Sequence, residues 1–112
     1  MVTRRELEEY RSAKRELAEL RARMRQAELG GTDSIAARET AALYGAMAEA
    51  RADELVRIEL AIDALGSADQ RRAVRMRYVD GLSRVQVAAR MHLSEAMVDK
   101  HVAAALRELE RE

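Results

Sequence analysis

The chain has 112 residues, and its 20 basic and 20 acidic side chains cancel. It contains no Pro, Cys, Trp or Phe, which excludes disulfides and thiolate metal sites and leaves three tyrosines as the only aromatic bulk. Neutrality excludes the strong overall field that draws many proteins to nucleic acid, and an apolar fraction made largely of alanine argues against a large solid core.

Ala, Leu, Arg and Glu dominate, so the expected fold class is all-α. The first helix is expected over about residues 4 to 29, opened by Thr3 and Glu6 at capping-box spacing. Tyr10, Ala13, Leu17, Leu20, Met24 and Ala27 recur at steps of three and four, which makes one apolar seam. The other face is charged. Arg11, Lys14, Arg15, Arg21 and Arg25 are interleaved with Glu8, Glu16, Glu19 and Glu28, as on a solvated helix.

A Gly30-Gly31 break follows, and Thr32, Asp33 or Ser34 is placed to cap a second helix over about 34 to 65. Its seam is Ala37, Ala41, Tyr44, Ala48, Leu55, Ile58, Ile62 and Leu65, interrupted by Arg51, and Leu43, Met47, Val56 and Leu60 widen the apolar surface. Two long helices joined by a short turn predict an antiparallel, coiled-coil-like hairpin in residues 1–65, an arm for oligomerisation or partner binding. The same seam, with Tyr10, Leu17, Leu20 and Met24 at its centre, could instead pair two copies, so a monomeric hairpin and a homodimer are both open at this point.

After Gly66, residues 66–112 read as a separate three-helix domain. Ser67 with Gln70, and Ser83 with Gln86, repeat the capping-box spacing, and Ser94 is placed to cap the last helix. The last helix should carry Val98, Val102, Ala105, Leu106 and Leu109 as its apolar stripe. A short helix, a three-residue turn at His92-Leu93-Ser94 and a second helix form the helix-turn-helix arrangement. The small Ala88 and Ala89 permit a close crossing, and Leu93 should plug the corner.

The stretch from Arg72 through Arg77-Tyr78 to Gly81-Leu82-Ser83 resembles region 4 of bacterial sigma factors, in which a helix ending in Arg-Tyr precedes a Gly-Leu-Ser turn. Val85, Val87, Ala88 and Met91 match that family's support helix, and Leu93-Ser94, Val98 and Ala105 to Leu109 match its turn and recognition helix. The resemblance covers about residues 58–110; no sigma region 2 precedes it. A lone region 4-like domain behind a helical arm is similar to small phage or prophage regulators. The family's turn generally has glycine where His92 stands, a position that needs positive φ and that His tolerates better than a branched residue does.

The resemblance implies a DNA-binding transcription regulator. Ser94, Glu95, Ala96, Asp99, Lys100, Ala103 and Arg107 would line the recognition helix in the major groove, and Arg77, Arg84 and Arg90 would hold backbone phosphates. Glu95 could accept from cytosine N4 and Lys100 could reach guanine, whereas Asp99 would repel phosphate. The alternative reading is a protein-interaction module that binds RNA polymerase or a regulatory partner, or a phage DNA-packaging component. Residues 66–112 carry nine basic and seven acidic groups against eleven and thirteen in residues 1–65, which favours the C-terminal half as the DNA side.

No nucleophile–base pair, phosphate-cradling glycine loop or metal-ligand cluster is present in the pattern, so neither an enzyme, a cofactor nor a small-molecule substrate is expected. The two histidines, His92 and His101, lack partners for a metal site. No apolar run approaches the ~20 residues that span a membrane, and the charged start Met1 to Glu6 is unlike a secretion segment, so a cytoplasmic protein is expected.

Overall fold

The computed structural model describes residues 1–30 and 34–111. Gly31, Thr32 and Asp33, two of them candidate caps, lie outside the described residues. The fold is all-α: five helices and no strand among the described residues, α1 (Arg4–Leu29), α2 (Ile35–Asp63), α3 (Ala68–Val74), α4 (Arg84–Met91) and α5 (Glu95–Leu109). The chain packs as two compact units, one of residues 1–11 with 57–112 and one of residues 12–56. These boundaries fall at different places from the glycine break at residue 66.

In the unit of residues 12–56, the inner parts of α1 and α2 run antiparallel. Arg51 bridges Glu16 at 3.0 Å and Glu54 at 2.7 Å, and Met24 Sδ lies against Gly45. Leu17 and Leu20 are buried with Ala48 and Leu55, and Met24 is half-buried. Arg51 interrupts the seam without breaking it, because its stem is half-buried while its head is paired. The chain's own second helix thus closes Leu17 and Leu20, two of the residues proposed for a contact with a second copy. Leu43, Met47 and Val56, expected to widen the apolar surface, are exposed.

In the other unit the start of α1 is capped as expected. Glu6 N donates to Thr3 Oγ1 at 3.2 Å, and Thr3 N donates to Glu6 Oε1 at 3.1 Å. Burial raises the Glu6 pKa, but the Thr3 backbone N–H and the Arg57 guanidinium outweigh it and hold the carboxyl below its usual value. Val2 and Leu7 are fully buried, and Val2 N donates to Leu109 O at 2.7 Å, which satisfies one of the carbonyls left open at the end of α5. Burying Val2 and Leu7 contributes roughly 1.5–3 kcal/mol each. Tyr10, also a candidate for a subunit contact, is 1% exposed here and pairs with Glu59 of α2, which Arg75 approaches at 3.6 Å. The seam therefore extends past Tyr10 to Leu7, a continuation visible in the same three-to-four spacing.

The helix-turn-helix core consists of Ala73, Val87, Ala88, Met91 and Val98, with Met76, Leu82, Leu93 and Val102 packed against it. Leu93 takes the corner position expected of it. α3 departs from expectation after Val74. Residues Arg75–Val79 form a π-helical turn closed by the bond from Asp80 N to Arg75 O, one residue wider than an α-helical turn. The turn ends at Gly81, whose φ of 73° is a left-handed conformation, and a Cβ added there would meet the Arg11 guanidinium. Between α4 and α5, His92 has φ 55°, the positive value expected of that position. Replacing His92 with Gly should therefore stabilise the protein by roughly 0.5–1 kcal/mol, since the left-handed strain outweighs the added freedom of the unfolded chain. Denaturant unfolding checks this, and a destabilised variant would show that the His92 side chain contributes contacts worth more than the strain.

Candidate nucleic-acid interface

Side-chain caps fix the starts of α5 and of α4. In α5 Ser94 Oγ accepts from Met97 N at 3.1 Å, and at α4 Ser83 and Gln86 complete a reciprocal capping box. Each such cap contributes about 1 kcal/mol and fixes where its helix begins. Val98, Ala105, Leu106 and Leu109 face inward and are buried. The opposite side carries Ala96, Lys100, Ala103 and Arg107 at steps of four, three and four, which puts them on one ridge. Ala96, Lys100 and Arg107 are exposed and Ala103 is half-buried.

Ser94, expected at the DNA face, is exposed and works as the helix cap. Glu95 and Asp99 are exposed at the flank of the ridge nearest α4. Both are bound by Arg84, expected to be a phosphate contact: its Nε donates to Glu95 Oε1 at 3.1 Å and its Nη1 to Asp99 Oδ2 at 3.0 Å. The Glu95 hydrogen bond and the Asp99 charge raise the Arg84 pKa. Arg77 is half-buried, and its Nη1 donates to Leu82 O at 2.7 Å, so it holds the turn before α4 where a phosphate contact was expected. Arg90 is exposed at the end of α4. Among the described residues, Arg90, Lys100 and Arg107 make no ion pair within the chain, so these three cations remain available to an anionic partner.

A cleft of about 400 Å³ lies beside the ridge, lined by Arg4 and Glu8 of α1, Arg77, Tyr78, and Asp99, Val102 and Ala103 of α5. Nothing in the spacing of charged residues on α1 signalled that its first two turns would border α5. His101 is half-buried with Nε2 3.9 Å from Asp69, beyond hydrogen-bond reach. Among the described residues, no group of His, Cys, Asp or Glu could hold a metal ion, and no helix is long and apolar enough to cross a membrane.

Residues 55–109 match the family model described as sigma-70, region 4. The match takes in the end of α2, α3, the π-helical turn, α4 and α5. No curated protein and no solved structure matched the chain.

Proposed function

We propose that this chain, whose residues 55–109 match the sigma-70 region 4 model of DNA-binding helix-turn-helix domains, is a transcription regulator that lays α5 in the major groove of double-stranded DNA. The observation that supports the reading most is the exposed ridge of α5. It is held outward by a capped start and a buried inner face, and it carries two cations separated by small side chains. Lys100 reaches guanine O6 and N7 or a phosphate, and the Ala96 and Ala103 methyls suit contact with thymine methyl groups. Arg90 and Arg107 neutralise backbone phosphates, the contacts that set affinity and register. Catalysis has no part in this reading, and the working compartment is the cytoplasm, where the DNA is. A single region 4 domain joined to a helical arm fits a phage or prophage regulator, and the genes neighbouring this one test that assignment.

Binding to mixed-sequence duplex, followed against salt, tests the reading. The two phosphate contacts, Arg90 and Arg107, should give a slope of log K against log salt near −1.8, roughly −0.9 per contact. Lys100→Ala should change the preferred sequence, whereas Arg90→Ala should weaken all sequences alike. No binding at low salt would overturn the proposal and leave the second reading, a module that binds RNA polymerase or another protein. The neutral overall charge favours that reading. Because Tyr10, Leu17 and Leu20 are buried within the chain, we assign one chain to each DNA site. Light scattering should return a monomer, and a concentration-dependent dimer would require another contact surface.

A further inference from the structure

Two carboxylates in the first turns of a helix that must approach phosphates are a difficulty for the DNA reading. Glu95 and Asp99 sit near the N-terminus of α5, where the helix dipole favours them but a DNA backbone would not. The structure supplies their partner from the neighbouring helix. Arg84 is the first residue of α4, and two different N–H groups of its planar guanidinium reach the two acids, at 3.1 and 3.0 Å. That fork geometry is one a lysine could not reproduce. All three side chains are about half exposed, so the network adds little to stability, and its value has to be sought elsewhere.

We infer that Arg84 is the internal counter-charge of the recognition helix: it draws the Glu95 and Asp99 carboxylates to the α4 side and leaves the ridge of Ala96, Lys100, Ala103 and Arg107 to face DNA. Arg84 is then a positioning residue. The inference rests on the nucleic-acid reading above. It replaces the roles that the sequence pattern suggested for Arg84, as a phosphate contact, and for Glu95, as an acceptor from cytosine, and it gives Asp99, which would repel phosphate, a partner within the chain. Of the three charges, two acids and one cation, the guanidinium leaves a single net negative charge beside Lys100; without it there are two.

The test compares duplex binding at several salt concentrations for the wild type, Arg84→Ala, the triple variant Arg84→Ala with Glu95→Gln and Asp99→Asn, and Arg90→Ala. Arg84→Ala should weaken binding about tenfold by unmasking the two acids. The triple variant should return to within about threefold of the wild type, with an unchanged salt slope, whereas Arg90→Ala should flatten the slope by about 0.9. A triple variant no tighter than Arg84→Ala, with a slope as flat as that of Arg90→Ala, would make Arg84 a phosphate contact and overturn the inference. If the wild type binds no duplex at all, the nucleic-acid reading falls and takes this inference with it; a binding wild type with an unrescued triple variant removes the inference alone.

Discussion

Raising the pH from 10 to 12 should cost the protein about 2 kcal/mol of stability through one side chain, Tyr10. Its hydroxyl is pushed up to about 12, first by burial and then by the hydrogen bond to, and the charge of, Glu59, with Arg75 pulling the other way. In the unfolded chain the same group loses its proton near 10.0. The folded state thus binds the proton more tightly, so the contribution is complete below pH 10 and is lost as the pH climbs through 12. Unfolding by urea at a series of alkaline pH values measures it. Tyr10→Phe keeps the ring and removes the proton, so this variant should be nearly as stable as the wild type at pH 7 and should lose the steep alkaline fall. Matching alkaline profiles for the two proteins would contradict the assignment.

Val98→Ala should destabilise the helix-turn-helix unit by about 2–3 kcal/mol. Val98 is fully buried where α5 meets Ala73, Val87, Ala88 and Met91. Two of those four neighbours are alanines, which cannot swing into the space that is vacated, so the cavity should persist and add to the lost transfer energy. Against a total stability of roughly 5–15 kcal/mol, this is a large fraction. Thermal or denaturant unfolding reads it directly. DNA affinity at a temperature where the variant remains folded should change little, because Val98 faces away from the exposed ridge. A loss below about 1 kcal/mol would mean that the corner collapses around the smaller side chain.

What the sequence made legible was mostly local. Serine followed three residues later by glutamine placed the starts of α3 and α4, Ser94 placed α5, and the absence of glycine at His92 still left the left-handed turn readable from its place between two helices. The small residue at Ala88 and the plug at Leu93 followed from the helix-turn-helix pattern and pack in the core, whereas Ala89, expected at the same crossing, is exposed because it falls on the outer side of α4. The features missed depend on partners distant in the chain or on details without a compositional mark. Arg84 looked like any exposed arginine, because nothing in its neighbourhood shows that residues 11 and 15 positions further on will turn back towards it. The π-helical turn at Arg75–Val79 arises from one widened hydrogen bond, and its residues would equally well continue an α-helix. Charge pattern alone could not separate cations engaged within the protein, such as Arg77, from free ones such as Arg90 and Lys100.

The bond from Val2 to Leu109 has a practical consequence for the recognisable half of the chain. Residues 55–109 look like a cassette that could be cut out and studied alone, yet Val2, Leu7 and Tyr10 are interior parts of the same compact unit. A fragment starting at residue 55 would present to water the apolar ground that those three side chains cover, and the last turn of α5 would lose a hydrogen-bond donor. Such an excised piece should be prone to aggregate, and silence from it in a binding assay would say nothing about the intact protein.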